Sequence, residues 1–209
     1  MFDELVGEGL TPFLQARAHS IIGMDLSFGN AHLGFRGQTS VSGACADVRD
    51  LPFGNESFEV VVSNSTLDHF QTLDEIIVSL RELHRVLRQG GQLILTLDNP
   101  ANPIIAARNV LPFKFLNRLG ILPYYVGATC GPWRLQKWLR EIGFDVRDVT
   151  AVLHCPRVLA VLAAKILCSC ANSAVQQRFL RWMQVFENMS HWPTRYLTGN
   201  FIAVRAEKR

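Results

Sequence analysis

Short apolar runs alternate with amphipathic stretches along this chain. Ser20 to Asp25 (SIIGMD) is an apolar run ending in an acid. That pattern predicts a buried parallel strand with a carboxylate at its mouth. A Gly-rich link from Gly29 to Gly37 follows, with room for one short helix, and Thr39 to Cys45 is a weaker strand candidate. Asp50-Leu51-Pro52-Phe53-Gly54 is turn chemistry. Glu59 to Ser63 carries Val60, Val61 and Val62, a β-branched run suited to a central strand.

The next element is the best defined. Thr72 and Glu75 have the spacing of a capping box, which satisfies two otherwise unpaired donors at a helix start. Leu73, Ile76, Ile77, Leu80, Leu83 and Leu87 recur at helical spacing, with Arg81, Glu82, Arg85 and Arg88 largely off that face. Gly90 and Gly91 are expected to end the helix through a left-handed residue. Gln92 to Leu97 then reads as another buried strand.

Beyond it, Asn99 to Gly131 holds four prolines and little regular period. A long irregular segment at a strand's carboxyl end suits function. Pro132 to Gly143 predicts a helix with proline in its first turn and an apolar face of Leu135, Trp138, Leu139 and Ile142. Phe144 to His154 reads as a strand, and Pro156 to about Thr194 as mostly helical, with a bundle-like stretch from Arg178 to Met189. Asn200 to Arg205 closes the chain as a last strand. The alternation predicts an α/β fold, a doubly wound sheet with helices on both faces. Residues 1–209 form a single domain, interrupted by insertions at 99–131 and 156–198.

Composition narrows the class. The chain is 48% hydrophobic and 19% charged, which suits a globular protein. A net charge of +3 is too small to indicate a nucleic-acid partner. Cys45, Cys130, Cys155, Cys168 and Cys170 are odd in number and scattered, and the Cys168–Cys170 pair has no second pair at zinc spacing. Buried or idle thiols in a reducing compartment, the cytoplasm, are expected, with no metal. The apolar run Val158 to Ala171, broken by Lys165, is shorter than the roughly 20 residues of a membrane span. A buried or surface-lying helix fits it, which leaves peripheral membrane contact open.

Polar groups gather at the strand ends: Asp25, Asp47, Ser63 with Asn64, and Asp98 with Asn99. In open α/β sheets ligands bind at the carboxyl ends of the strands, where an acid accepts hydrogen bonds from a ribose diol. A nucleoside-type ligand follows. The stretch ADVRDLPFGNESFEVVVSNSTLDHF with LRELHRVLRQGGQLILT resembles class I S-adenosylmethionine-dependent methyltransferases of the type 11 group. The resemblance covers roughly Asp3 to Thr150 plus the final strand. It implies a Rossmann-like, mostly parallel sheet whose last strand is antiparallel, a helical insertion before that strand, and S-adenosyl-L-methionine as cofactor.

The resemblance also implies roles. Asp25 binds the ribose hydroxyls, with Met24 and Leu26 lining the pocket. Asp47 faces the adenine amino group, with Val48 packing on the ring. Ser63 and Asn64 lie beside the methionine moiety. Asp3, Gly7 and Gly9 match an acid and two glycines of the loop that approaches the cofactor, but Leu5 stands where its first glycine belongs. Only Met1 and Phe2 precede Asp3, so the family's first strand is largely absent, and a truncated version of a longer protein is expected.

Methyl transfer needs alignment and exclusion of water, and an oxygen or nitrogen acceptor also needs a base. His69, just past the third strand and next to Asp68, is the catalytic candidate; packing or capping at the helix entry is its other reading. Phe113, Phe115, Tyr124, Tyr125 and Trp133 give the following segment an aromatic character. A small-molecule or lipid-like acceptor is expected. The alternative is a non-catalytic, methyltransferase-like partner subunit.

Overall fold

The computed structural model describes residues 10–27, 41–111, 117–118, 127–155 and 173–209. They fall into two compact units, one within Met1–Pro52 and Val158–Trp182, the other within Phe53–Arg157 and Met183–Arg209.

In the first unit a short helix, α1 (Leu10–Gln15), precedes β1 (Ile21–Asp25) and β2 (Val41–Cys45). The two strands pair in parallel, from Ile21 opposite Val41 to Asp25 opposite Cys45. The parallel pairing places both carboxyl ends on one edge. Val41, Val48 and Leu51 are its buried apolar residues.

The second unit carries a four-stranded sheet. Its strands are β3 (Phe58–Asn64), β4 (Leu87–Asp98), β5 (Phe144–Val152) and β6 (Phe201–Lys208), in the order β3-β4-β6-β5. β3 and β4 are parallel; β6 runs antiparallel between β4 and β5. This is the Rossmann-like methyltransferase arrangement with an antiparallel last strand. Among the described residues β1 and β3 each end a sheet.

The helix α2 (Leu73–Val86) begins as its sequence predicts. Thr72 Oγ1 accepts from the Glu75 amide, and the Glu75 carboxylate accepts from the Thr72 amide. Ile76, Leu80, Leu83 and Val86 are buried at its core face, while Leu73 and Ile77 are only half-buried. Its end differs from expectation. The helix stops at Val86 because Leu87 is already extended and pairs with Phe58. Gly90 (φ 72°) sits inside β4, where a bulge separates the Phe58 and Val60 pairings. Gly91 is needed for close approach instead: a Cβ there would lie 2.8 Å from the Arg88 carbonyl oxygen and 3.2 Å from that of Glu59.

A helix that the sequence reading missed, α3 (Pro103–Val110), lies in the segment after β4. Its signal is local: Asn102 caps it, accepting from the Ile104 amide at 2.9 Å, and Pro103 occupies the first turn. The helix α4 (Pro132–Ile142) ends on Gly143 at φ 118°, as its pattern predicts. Near the end of the chain come α5 (Ser173–Glu187), a 3-10 turn at Asn188–His191, and the single turn α6 (Arg195–Thr198). The Glu187 carboxylate accepts from the Leu153 and His154 amides, which ties α5 to the end of β5.

Candidate functional site

In the first unit, two acids follow neighbouring parallel strands. Asp25 closes β1 and pairs with Cys45; Asp47 comes two residues past Cys45. Asp25 Oδ1 accepts from the Ser27 amide at 2.7 Å, and the Ala46 amide donates to the Asp25 carbonyl at 3.2 Å. Asp47 is held by Arg49. The Arg49 amide and Nε donate to Oδ1 at 2.9 and 3.0 Å, and Nε and NH2 donate to Oδ2 at 3.0 and 2.5 Å. These hydrogen bonds from the Arg49 side chain hold the Asp47 carboxyl below the usual carboxylate range, against a smaller opposing effect of burial. Val48 is buried and Leu26 is exposed. Met24 is half-buried.

In the second unit, the carboxyl ends of β3 and β4 form a polar cluster. Ser63 is buried and its Oγ has no hydrogen-bond partner. Asn64 Oδ1 accepts from Thr96 Oγ1 at 2.7 Å, which in turn accepts from the Ser65 amide at 2.9 Å. Ser65 adopts φ 50°, and its Oγ donates to Asp68 Oδ2 at 2.8 Å. Asp68 lies in the 3-10 turn Leu67–His69 and is 1% exposed. Burial, and then the negative charge of Asp98, push its carboxyl above the ordinary range. Asp98 has its own cation: Arg108 NH2 donates to its Oδ2 at 2.6 Å, with both side chains largely buried. Thr129 Oγ1 donates to the Asp98 carbonyl at 2.5 Å. His69 is half exposed, with Nε2 3.9 Å from Asp68 Oδ1.

Other polar residues turn out to be structural. Asn99 is fully buried and donates to the carbonyls of Tyr196 and Gly199, clasping the exit of β4 to the entry of β6. Both His154 ring nitrogens are engaged, with Thr198 Oγ1 at 2.7 Å and the Ala151 carbonyl at 2.9 Å. Cys130 and Cys155 are buried free thiols, and burial pushes Cys130 up to about 12. Cys45 is free and exposed. Trp133 is exposed. Asp3, Gly7, Gly9, Phe113, Phe115, Tyr124, Tyr125, Cys168 and Cys170 lie outside the described residues. Among the described residues there is no metal-ligating cluster, and no helix is long and apolar enough to cross a membrane.

The sequence reading missed Arg49, Ser65, Arg108 and Thr129. Arg49 had a signal, since an acid and an arginine two apart past a strand end meet across a turn. Arg108 reaches Asp98 only because α3 folds back, a contact that spacing alone does not announce.

Known proteins place these residues in context. The family model for a methyltransferase domain matches residues 6–95. A demethylmenaquinone methyltransferase of Clavibacter sepedonicus is 28% identical over 66% of this chain and 63% of its own length. A ubiquinone/menaquinone biosynthesis C-methyltransferase of Hahella chejuensis is 38% identical over 37% of this chain and 30% of its own. The chain thus spans less than two thirds of the length of either relative. The crystal structure of a [4+2]-cyclase, SpnF, superposes with a TM-score of 0.60 at 18% identity, covering 97% of this chain and 71% of that one. At that identity the likeness shows the fold alone. Together with the motif spanning Asp47 to Thr96, the domain match and the curated relatives make residues 6–95 similar to a methyltransferase domain.

Proposed function

We propose that the chain transfers a methyl group from S-adenosylmethionine to a small-molecule or lipid-like acceptor in the cytoplasm. The observation that carries this reading is the pair of acids, Asp25 and Asp47, at the carboxyl ends of adjacent parallel strands. That placement suits an adenosyl group: one acid can accept from two ribose hydroxyls and the other from an exocyclic amine. The unsatisfied, buried Ser63 Oγ is a second polar group suited to a bound ligand. Bound S-adenosylmethionine supplies an electrophilic methyl carbon on a sulfonium, whose carbon–sulfur electron pair leaves with the sulfur.

The chain's own residues then have defined tasks. Asp25, Met24 and Leu26 hold the ribose side, Asp47 and Val48 the adenine side, and Ser63 and Asn64 the methionine side. Asp3, Gly7 and Gly9 belong to the same set. His69, half exposed beyond β3, accepts the proton of the methyl acceptor. Residues 99–131 and 156–198 supply the acceptor's walls, within a single domain. The two quinone-type relatives support a small, lipid-like acceptor, and the net charge of +3 gives little attraction for a polynucleotide.

Calorimetry with S-adenosylmethionine tests the reading. Binding by the wild type, weakened at least tenfold in Asp25→Ala, is the expected result; no binding overturns it. A second reading, a non-catalytic partner subunit, is favoured by one observation: Arg49 occupies both oxygens of Asp47. Absent cofactor binding together with a stoichiometric protein partner would establish it instead.

A further inference from the structure

We propose that the carboxyl edge of the four-stranded sheet docks on the surface of an anionic membrane, with Trp133 and Trp192 seated at the interface with water. The purpose of this docking rests on the methyltransferase reading above; its test does not.

Topology brings the elements of this edge together. Asp98 at the end of β4 and Val152 at the end of β5 both pair with Phe201, the first residue of β6. α3 leaves from this edge and α6 arrives at it, and Asn102 joins the two by donating to the Thr198 and Gly199 carbonyls. The Thr129 hydroxyl on the Asp98 carbonyl brings the start of α4 to the same edge.

Large apolar side chains on these elements face water. Val110 is 84% exposed, Trp133 78%, Ile104 67% and Trp192 56%, and Leu111 and Leu197 are exposed as well. A single exposed apolar residue needs no explanation, but six on the elements of one edge do. At the opposite edge, where β5 begins and β6 ends, ion pairs stand instead: Arg147 with Asp145 and Glu207, Arg209 with Asp145, and Lys208 with Glu56.

Charge selects the partner. Segments 99–111, 127–137 and 188–200 contain no Asp or Glu. Arg108 is engaged by Asp98, but Arg134, next to Trp133 in the chain, is exposed. The same bias runs through the sequence of both insertions: residues 99–131 and 156–198 hold eight lysines and arginines and a single acid, Glu187. Glu187 already accepts from two backbone amides. An apolar, basic surface matches both layers of an anionic bilayer's interface. Tryptophan rings sit at headgroup level, aliphatic side chains reach the acyl boundary, and arginines meet phosphates. A polynucleotide would satisfy the arginines and leave Ile104, Val110 and Leu111 in water. A lipid-like acceptor resides in such a bilayer, and ligands enter this kind of sheet at its carboxyl edge.

Cosedimentation of the full chain with lipid vesicles tests the proposal. Vesicles of phosphatidylcholine and phosphatidylglycerol, roughly three to one, should carry the protein down, and phosphatidylcholine alone should carry down less. The double variant Trp133→Ser, Trp192→Ser changes only exposed positions. It should partition about tenfold more weakly at an unchanged melting temperature. Val78→Ser, at an exposed position on α2, should bind as the wild type does. No sedimentation of the wild type, or equal losses in the two variants, overturns the proposal. Tighter binding to single-stranded RNA than to vesicles also overturns it, as does self-association through the two tryptophans without vesicle binding. Should the double variant not fold, the wild type decides: lipids brominated on their acyl chains should quench its tryptophan emission, and no quenching overturns the proposal. Neither cofactor nor acceptor enters these measurements. Vesicle binding without S-adenosylmethionine binding therefore supports docking and refutes methyl transfer, and the reverse pattern does the opposite.

Discussion

Arg49 Nε lies 3.0 Å from both carboxylate oxygens of Asp47, and Arg49 NH2 lies 2.5 Å from Oδ2. With the Arg49 amide on Oδ1 as well, each oxygen already accepts two hydrogen bonds. A carboxylate has about four acceptor sites, so an adenine amine reaching Asp47 must displace the guanidinium. Arg49→Ala removes that competition. S-adenosylmethionine should bind this variant up to about tenfold more tightly, roughly 1.4 kcal/mol, and Asp47→Ala more weakly, as measured by calorimetry. Unchanged affinity in both variants would exclude Asp47 as a cofactor contact. The same pair has a pH signature. Arg49 lowers the folded-state pKa of Asp47, so its stabilising contribution is present above the unfolded value of about 3.9 and is lost as pH falls through the folded one. The melting-point gap between wild type and Arg49→Ala should close at acid pH.

Local signals were legible in the sequence and long-range ones were not. The capping box at Thr72 and Glu75 needs four consecutive residues and appears as read. The end of α2 does not: Leu87 leaves the helix because Phe58, far back in the chain, pairs with it. The acids past β1 and β2 were visible because apolar runs end there, and their common edge follows from parallel pairing. Their present partners were hidden, since a strand-end acid looks the same whether a ligand or an arginine holds it. α3 was lost under four prolines, although Asn102 and Pro103 spell a helix start. His69 is a candidate from its position alone, and the unequal oxygens of Asp68 depend on Ser65 at φ 50° and on the backbone of β4.

His84 gives a second pH effect. Burial lowers its pKa first, and the nearby charge of Lys208 lowers it further, against a smaller opposing effect from the Gly143 backbone. Its ring meets Phe144 edge-on at 4.9 Å, and its neutral form suits that setting. The unfolded chain protonates near pH 6.5, above the folded value, so it binds more protons as pH falls. Stability is therefore fully present above about pH 6.5 and declines below it. Wild type should lose more melting temperature than His84→Gln between about pH 7.5 and about pH 5.5. Parallel losses would show that His84 contributes nothing to the slope.

Gly90 and Gly91 separate two reasons for glycine. A Cβ on Gly90 meets only Glu207 Oε1 at 4.0 Å, but φ is 72°. Gly90→Ala should cost about 1–2 kcal/mol, the ordinary penalty of a left-handed residue, and Gly90→Asn less. Gly91 has no such φ, yet its Cβ would press on two backbone carbonyl oxygens that cannot rotate away. Gly91→Ala should cost more than Gly90→Ala, by displacing β4 from β3. Urea midpoints rank the three variants; equal midpoints for the two alanines would contradict the close approach at Gly91.

Asn99 follows Asp98 at the carboxyl end of β4, where a polar residue invites a chemical role. Its contacts assign a mechanical one. Nδ2 donates to the Tyr196 carbonyl at 2.7 Å and to the Gly199 carbonyl at 2.9 Å, Oδ1 accepts from the Ala101 amide, and the side chain is inaccessible. Asn102 adds donors to Thr198 and Gly199 beside it. Asn99→Ala leaves buried carbonyls short of a donor, at about 1–3 kcal/mol each. For a chain of this size about 2 kcal/mol lowers the melting temperature by about 4–8 °C. Asn99→Asp should be worse, because a carboxylate would then face two carbonyl oxygens. A chemical residue behaves the opposite way: its alanine variant keeps its melting temperature and loses turnover. Thermal melts paired with S-adenosylmethionine binding separate the two. Lowered melting with undiminished affinity below the melting temperature supports the clasp, and normal melting with lost turnover refutes it.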